Sequence, residues 1–390
     1  MIAILRLFGS AFLFLLVIVG LAATIVPRYL DRIYYRGNAS DHFDGARFLN
    51  PDGDDDTAGA PGGGDRAGFF WRYLTGRDSR PAWPERVEVR PIAPPARVEG
   101  EAMIVTWVGH ATVLIQTHGL NILTDPVWSE NAGPFRLGPR RVTEPGIAFD
   151  RLPRIDLVLL SHNHYDHLDL ATLKRLWQRD RPRIVTSLGN DAVTGNAGVP
   201  ATALDWRARI RIRPGVEVAV VRNHHWSSRW FTDRNRALWS AFVVTLPSGG
   251  NLFFAGDTGM GDGRWPAEAA ARGPIRLALL PIGAFRFTPG QMASGSHIGP
   301  ADAVEVYRRL GAARAIPIHW GTFRLSYEGY DTPRLMLEAA MTCTRQVGFL
   351  PVEIGRPTEI APYAPSAPLP AMPRDQLLRC LDKPAVRALP

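Results

Sequence analysis

Short apolar runs separated by polar or glycine-rich turns recur along the chain from residue 102 onward. Runs of four to seven apolar residues bounded by turn signals favour buried β-strands. Ten strands are predicted, at 103–107, 112–116, 121–124, 157–160, 183–186, 217–222, 240–246, 251–254, 276–280 and 314–318. Apolar residues three or four apart instead predict helices at 169–179, 300–310 and 334–346. Strands first, then strands mixed with helices in two similar halves, indicate an α/β fold built as an αββα sandwich.

The N-terminus has a different pattern. Residues 7–26 carry no charge, and about 20 apolar residues suffice for a transmembrane helix. A cleaved secretory signal is the alternative, because Ala22 and Ala23 offer small residues for cleavage. The apolar run is longer than the usual core of a signal, so the sequence favours an uncleaved anchor within residues 1–36. We therefore expect one N-terminal span in a bacterial inner membrane, with the side on which the rest of the chain lies undetermined.

The rest of the chain divides into three parts that differ in composition. Residues 37–100 contain an acidic run at 52–56 and glycines at 62–64, which predict a flexible linker and an N-terminal extension that includes an amphipathic stretch at 69–73. Residues 101–355 hold all the predicted strands and form the predicted catalytic domain. The proline-rich end at 356–390 shows no clear periodicity, and we expect a loosely packed tail.

The charge pattern argues against nucleic acid as a partner. The net charge is +8, from 45 Lys and Arg against 37 Asp and Glu, but no basic run with interleaved aromatic residues suggests nucleic-acid binding. The positive excess could favour an anionic lipid surface.

Cys343 and Cys380 lie far from the polar motifs, and the sequence does not decide whether they pair. The assembly state is also open, with a homodimer as one option.

The strongest chemical signal is the run from Ser161 to Asp169, which follows the predicted strand at 157–160. It places His162, His164 and His167 beside Asp166 within six positions. Packing does not explain so many polar rings behind a buried strand, because each would need a partner. Imidazole and carboxylate are ligands that Zn²⁺ accepts, and two metal ions suit this spacing better than one.

Other predicted strands also end in metal-binding residue types. Asp257 follows the strand at 251–254, and His319 follows the strand at 314–318. Either His224 or His225, after the strand at 217–222, could complete a first site. A metal site assembled at one edge of a sheet requires this pattern.

Together the motifs resemble the metallo-β-lactamase fold superfamily and, within it, the N-acyl-phosphatidylethanolamine-hydrolysing phospholipase D family. The resemblance spans roughly residues 40 to 355. It rests on the runs at 105–112, 123–126, 161–169, 254–259, 281–284 and 318–323.

The resemblance implies two Zn²⁺ ions, although other divalent metals are open. One ion would be held by His162, His164 and His225, because His-Trp is the family's dipeptide at 225–226. The neighbouring His224 departs from the family, which usually has Gln there. The implied ligands of the second ion are Asp166, His167 and His319, and Asp257 would bridge the two ions.

Further roles follow from the same resemblance. His297 matches a pocket histidine that could contact a phosphate or protonate a leaving alkoxide, so we predict His297, Asp166 and Asp257 as catalytic residues. Asp125 and His110 are predicted to orient the metal-binding imidazoles.

The implied activity is a dinuclear zinc phosphodiesterase that cleaves N-acyl-phosphatidylethanolamine, or a related membrane glycerophospholipid, to phosphatidate and an N-acylethanolamine or other alcohol. The predicted anchor fits this substrate because it would hold the enzyme at the bilayer. The loop at 285–296 departs from the family, which usually has an aromatic-rich segment there. A hydrolase of a soluble lactone or sugar phosphate, similar to ascorbate-6-phosphate lactonases, therefore stays open, as does a membrane-tethered scaffold with a vestigial site.

Overall fold

The computed structural model describes residues 2–30, 32–53, 80–230, 232–288, 290–365 and 371–390, and in the N-terminal helix it describes the side chains of residues 9–25. The predicted amphipathic stretch at 69–73 and the acidic and glycine-rich residues at 54–66 lie outside these ranges.

All ten predicted strands are present in the described chain, together with three short strands that the sequence pattern did not indicate. The strands are β1 Met103–Gly109, β2 Thr112–Thr117, β3 Leu120–Thr124, β4 Leu157–Leu160, β5 Arg183–Ser187, β6 Thr202–Leu204, β7 Arg209–Arg213, β8 Val216–Val221, β9 Ala241–Thr245, β10 Asn251–Phe254, β11 Ile275–Pro281, β12 Arg314–Ile318 and β13 Thr358–Glu359.

The strands form two sheets. One has the order β13-β1-β2-β3-β4-β5-β6, and the other has the order β12-β11-β10-β9-β8-β7. Pairing is antiparallel among β1, β2 and β3 and parallel from β3 through β6. The second sheet likewise pairs antiparallel from β7 through β10 and parallel from β10 through β12. Parallel neighbours end at the same sheet edge, so the residues after β3, β4, β10 and β12 can meet there.

The main core lies between the two sheets. Val113 and Ile115 of β2 point into it together with Val218 of β8, whereas Leu114 points to the opposite face of the first sheet. This alternation is the period of two expected of a strand. Both faces of the first sheet are therefore covered.

The described helices are α1 Ile2–Leu30, α2 Leu170–Asp180, α3 Asn190–Gly195, α4 Trp265–Ala270, α5 Pro300–Leu310, α6 Thr332–Thr344, α7 Arg374–Leu381 and α8 Pro384–Arg387. Of these, α2 covers the outer face of the first sheet and α5 that of the second. Leu173 and Leu176 of α2 pack on the first sheet, and α5 packs on the second sheet through Val304 and Tyr307. This arrangement confirms the predicted αββα sandwich and its three predicted helices.

The C-terminal segment is more ordered than predicted. Helix α7 buries Leu377 and Leu381, and a disulfide between Cys343 and Cys380 joins it to α6. The expectation of a loosely packed tail is wrong for residues 374–381, because an amphipathic helix of eight residues is too short to stand out among the surrounding prolines.

Part of the predicted linker is anchored to the catalytic domain through a few buried side chains. Residues 32–53, here called the N-terminal strap, run over the catalytic domain and bury the rings of Phe43 and Phe48. These rings lie 4.7 Å apart and contact Tyr35. Two aromatic residues separated by four polar or small ones gave no periodic signal, so the sequence did not indicate this packing.

A helix is present where the membrane anchor was predicted. Across the described residues, however, no helix combines the length and the apolar character that crossing a membrane requires. The predicted N-terminal span is therefore not confirmed.

Candidate metal centre

The residues predicted as metal ligands come together at the sheet edge where the parallel strands end. The run at 161–169 follows β4, and Asp257 follows β10 on the other sheet. His319 directly follows β12, and His225 lies four residues after β8. All seven predicted ligands belong to groups whose ligand atoms lie within 4.8 Å of one another.

The first group consists of His162, His164 and His225. Nδ1 of His164 lies 2.8 Å from Nε2 of His162 and 3.4 Å from Nε2 of His225. Two nitrogens bound to one tetrahedral zinc ion, each ~2.0 Å from it, would lie roughly 3.3 Å apart. The three imidazoles therefore converge on a volume that a single ion fits.

The second group brings Asp166, His167 and His319 together, with His110 at its margin. Oδ2 of Asp166 lies 3.4 Å from Nε2 of His167 and also 3.4 Å from Nε2 of His319. Mixed nitrogen and carboxylate ligands of this kind are ones that Zn²⁺ accepts.

Asp257 lies between the two groups. Its Oδ2 is 2.9 Å from Nε2 of His319, 3.1 Å from Nε2 of His167 and 4.0 Å from Nε2 of His225. One carboxylate thus faces ligands of both groups. This is the position that a bridging ligand needs.

Several of these polar atoms lack a hydrogen-bond partner among the described residues although they are buried. They include Nε2 of His167, Nε2 of His319 and Oδ1 of Asp257. Buried polar atoms in proteins are almost always paired, so atoms left over in one cluster indicate a missing ligand. Metal ions would satisfy them, and the residues present fit such ions.

Electrostatics also suit metal binding in the first group. Burial lowers the pKa of His164 to about 3 and takes the pKa of His162 and His225 well below the ordinary value for histidine. The rings are therefore neutral at neutral pH, as metal coordination requires.

The second group has the opposite balance in the metal-free protein. Burial opposes the charge on His319, but Asp257 and Asp166 outweigh it and raise the pKa of His319 to about 9. The same carboxylates raise the pKa of His167 well above its ordinary value against the effect of burial. Without metal ions, the protons on His167 and His319 balance the negative charge of Asp166 and Asp257. Bound cations would balance the same charge.

Asp125 and Ser161 orient the imidazoles, which matches the prediction for Asp125. Ser161 donates its backbone N–H to Oδ1 of Asp125 and its hydroxyl to Oδ2. Oδ2 also lies 2.7 Å from Nδ1 of His167, and Oγ of Ser161 lies 2.9 Å from Nδ1 of His162. Because these contacts occupy the carboxylate, Asp125 is placed to fix ring orientation rather than to bind a metal ion itself.

His110 is placed to orient Asp166. Its Nε2 lies 2.9 Å from Oδ2 of Asp166, and its carbonyl accepts the backbone N–H of His319. His110, Asp125 and His319 all have left-handed backbone, with φ of 54°, 28° and 64°. Such conformations are uncommon in residues other than glycine and concentrate at functional sites.

The adjacent residues His224 and His225 have different environments. Nδ1 of His225 lies 2.9 Å from the carbonyl oxygen of Ser296, which leaves Nε2 for the first group. Nδ1 of His224 instead lies 3.1 Å from Oδ2 of Asp52 in the N-terminal strap. His224 belongs to neither of the two metal-binding groups.

His297 stands at the open side of the centre. Its side chain is 13% exposed, and its Nδ1 lies 3.8 Å from Oδ2 of Asp257. Burial lowers the pKa of His297 to about 4, so its ring is neutral at neutral pH. The ring also lies beside those of His225 and His319, at centroid distances of 5.1 and 5.6 Å. The predicted catalytic residues His297, Asp166 and Asp257 therefore share one site.

Some residues at the site carried no signal in the sequence. Arg229 donates to the carbonyls of Asn163 and Leu168 and so fastens both ends of the histidine-rich loop, while its guanidinium stacks over the ring of Tyr165. Asn50 of the N-terminal strap donates to the carbonyl of His225. Single polar residues far away in the chain have no spacing that could have revealed these contacts.

The chain is similar to several known proteins. Residues 120–320 match the family described as the β-lactamase superfamily domain. An uncharacterised protein of Mycobacterium tuberculosis is 35% identical over 271 residues, which cover 67% of this chain and 69% of the relative. N-acyl-phosphatidylethanolamine-hydrolyzing phospholipase D 1 of Caenorhabditis elegans is 33% identical over 269 residues, which cover 65% of this chain and 74% of the relative.

A solved structure gives the same fold. The metallo hydrolase Igni18 of Ignicoccus hospitalis superposes with a TM-score of 0.51 over 67% of this chain and 99% of that protein, at 18% identity. At this identity the similarity shows the fold alone.

Proposed function

Because the chain belongs to the β-lactamase superfamily, with N-acyl-phosphatidylethanolamine-hydrolysing phospholipases D among its relatives, and is a metal-dependent hydrolase, we propose that it is a phosphodiesterase of the phospholipase D type. It cleaves the bond between phosphorus and the head-group oxygen of N-acyl-phosphatidylethanolamine or a related glycerophospholipid. Phosphatidate and an N-acylethanolamine or another alcohol leave.

The observation that carries this proposal is the position of Asp257 between two groups of ligands. His162, His164 and His225 would hold one Zn²⁺ ion. The other would be held by Asp166, His167 and His319, with Asp257 shared. Bound in pairs, such ions supply Lewis acidity at a phosphate and lower the pKa of water, which is the chemistry that a stable diester requires.

His297 is the residue of this chain best placed to handle a proton. A neutral imidazole at the open side of the centre offers one N–H to a phosphate oxygen or to the leaving alkoxide. Nδ1 of His297 lies 3.8 Å from Oδ2 of Asp257, so the ring stands beside the proposed bridging carboxylate.

Two adjoining cavities beside the centre support an amphipathic substrate. Their volumes are about 580 and 320 Å³, and both are lined by Phe135, Tyr165, Leu170 and Arg229. Tyr165 belongs to the histidine-rich loop, so both cavities border that loop. The smaller cavity, lined by Phe135, Leu170 and Val193 beside the guanidinium of Arg229, suits an acyl chain and an anionic phosphate, whereas the larger one also has Glu130 and Asp169 in its lining.

The bilayer is the proposed partner that presents this substrate. In the described part of α1 the side chains of Phe12 and Phe14 are 62% and 69% exposed. Large exposed apolar surfaces often mark contact with protein or lipid. The smaller cavity is lined by Arg32, which follows α1 in the chain, so contact of α1 with lipid would place the cavity near the substrate.

A turnover panel tests the proposal. Zinc-loaded protein is assayed with N-acyl-phosphatidylethanolamine, phosphatidylcholine, a soluble bis-aryl phosphodiester and a lactone, with Asp257→Asn as the control variant. We expect hydrolysis of the diesters, release of phosphatidate from a phospholipid, and loss of turnover in the variant. Lactone hydrolysis without diester hydrolysis would reject the phosphodiesterase and favour a hydrolase of soluble lactones or sugar phosphates.

A further inference from the structure

The N-terminal strap contacts the backbone of the proposed metal ligand His225 directly. Nδ2 of Asn50 donates to the carbonyl oxygen of His225 at 2.8 Å, and Oδ1 of Asn50 accepts from Nε1 of Trp239 at 3.2 Å. Asn50 is 5% exposed, so both bonds form away from solvent. Because the amide bonds on both sides, its orientation is fixed as donor toward His225.

The next polar residue of the strap holds the neighbouring histidine. Oδ2 of Asp52 lies 3.1 Å from Nδ1 of His224 and accepts the backbone N–H of Asp262 at 2.7 Å. The guanidinium of Arg222 lies 3.6 Å from Oδ1 of the same carboxylate. The Asp52 carboxylate therefore connects the strap to two segments of the catalytic domain, one containing Arg222 and His224 and the other containing Asp262.

Gly261 makes room for this contact. A Cβ at this position would lie 2.2 Å from Oδ2 of Asp52 and 2.4 Å from Nδ1 of His224, and the backbone has φ of +51°. Any side chain here would displace the carboxylate or the imidazole. The local backbone is thus compatible with the pair of Asp52 and His224 only when residue 261 is glycine.

The rest of the backbone around His224 and His225 is held by the catalytic domain itself. The backbone N–H of His224 donates to Oγ1 of Thr258, and its carbonyl accepts from the backbone N–H of Gly259. The carbonyl of His225 is held by the strap through Asn50. The strap therefore completes the set of bonds that aims Nε2 of His225 at the first group.

The strap has a second, separate attachment nearer to α1. His42 lies between Asp41 and Asp205, with nitrogen to oxygen distances of 2.5 and 2.7 Å, and its ring stacks on Trp206 at 4.6 Å. None of these four residues belongs to a metal-binding group. The two attachments can therefore be cut independently.

We propose that Asn50 and Asp52 are positioning residues for the first metal site. The strap fixes the backbone and side chains of the adjacent histidines, so that His225 faces the metal and His224 is held away from it. This inference rests on the proposed role of His225 as a ligand. It also assigns His224 a structural partner, Asp52, in place of a role at the metal.

Zinc affinity measured by chelator competition on the full-length protein tests this inference. Asn50→Asp removes the donor toward the carbonyl of His225 but keeps an acceptor for Trp239. We expect a loss of about 10- to 100-fold in affinity at one site, as is typical when a residue that orients a ligand is changed. His225→Ala identifies that site, because it removes the ligand itself.

Matched variants separate positioning from general support of the fold. Asp52→Ala should weaken the same site, and Asp52→Asn, which keeps an oxygen toward His224, should restore most of the affinity. His42→Asn cuts the other attachment, so it should lower the melting temperature and leave zinc affinity unchanged. If Asn50→Asp does not fold, Asn50→Ser is measured in its place.

The outcomes are distinguishable. Unchanged zinc affinity in folded Asn50→Asp and Asp52→Ala would overturn the inference, and so would an equal loss of affinity in His42→Asn. Full zinc binding by His225→Ala would instead reject the proposed ligand set. None of these readouts depends on which substrate the enzyme hydrolyses.

Discussion

Asp125 and His167 form a fully buried pair in which Oδ2 of the carboxylate lies 2.7 Å from Nδ1 of the imidazole. The contact makes Nδ1 of His167 the protonated nitrogen and turns Nε2 toward Asp257, 3.1 Å away. Asp125 therefore affects the metal centre by orienting the imidazole of His167, whereas Asp257 itself faces both groups of ligands. The two carboxylates should therefore differ in what their removal costs.

Asp257→Asn should reduce kcat/KM for a phosphodiester by about 10³-fold, because a charge shared by two cations is worth several kcal/mol and each ~1.4 kcal/mol is a factor of ten. Asp125→Asn should cost about 10- to 100-fold, the usual effect of removing an orienting partner. Steady-state kinetics and zinc analysis of both variants check this. Equal losses would show that Asp257 does not bridge.

His225→Ala should lower the zinc content of the purified protein from two ions toward one, whereas His224→Ala should keep two ions and lose no more zinc affinity than Asp52→Ala does. The reason is that Nε2 of His225 faces His164 at 3.4 Å, while the ring of His224 is engaged by Asp52. Elemental analysis after reconstitution gives the comparison. Zinc loss in His224→Ala alone would move the ligand one residue upstream.

Short-range patterns in the sequence predicted most of the catalytic domain. Apolar runs locate ten of the strands, and the histidine-rich run after β4 by itself indicates a metal site. These features succeed because a buried strand and a ligand cluster are both encoded within a few neighbouring residues. Asp257 and His319 could be added because each directly follows its own apolar run.

Contacts between distant residues could not be predicted in this way. Asn50 meets His225 across 175 positions, and Arg229 reaches Asn163 across 66. The sequence predicts a linker where the strap lies, since Phe43 and Phe48 are too few to produce a periodic pattern. Such contacts depend on the folded surface, which a single sequence does not display.

His42 should make stability depend on pH. Burial opposes its charge, but Asp205 and Asp41 outweigh this and raise its pKa above the ordinary value near 6.5. A raised folded-state pKa gives stabilisation that is fully present below the unfolded pKa and is lost as pH rises through the folded one. The stability difference between wild type and His42→Asn should therefore be largest below pH 6.5.

Both carboxylates are about half exposed, so this difference should be about 1 kcal/mol at its maximum. Urea unfolding of both proteins across the pH range measures it. A difference that grows with rising pH would contradict the assigned direction.

Removing the disulfide should destabilise the C-terminal helix without affecting the metal centre. Cys343 and Cys380 are 37 residues apart, and closing a loop of this length typically stabilises a fold by about 2–4 kcal/mol. The double variant Cys343→Ser, Cys380→Ser should lose about this much stability and lose amide protection in α7 first. Its zinc content should equal that of the wild type, because neither residue lies in a metal-binding group. An unchanged melting temperature would show that packing alone holds α7.

Phe135 allows the proposed lipid substrate to be tested separately from the chemistry. Its side chain is 81% exposed and lines both cavities beside Tyr165, so an acyl chain bound there would cover it. Covering a phenylalanine is worth ~1.5–3 kcal/mol, which corresponds to roughly tenfold or more in kcat/KM. Phe135→Ser should therefore lower kcat/KM on N-acyl-phosphatidylethanolamine vesicles and leave turnover of a soluble bis-aryl phosphodiester unchanged.

Val347→Ser is the matched control, because Val347 is also 81% exposed but lines neither cavity. Equal losses on both substrates would place Phe135 in the support of the catalytic site, and no loss on either would remove the cavities from the path of the acyl chain.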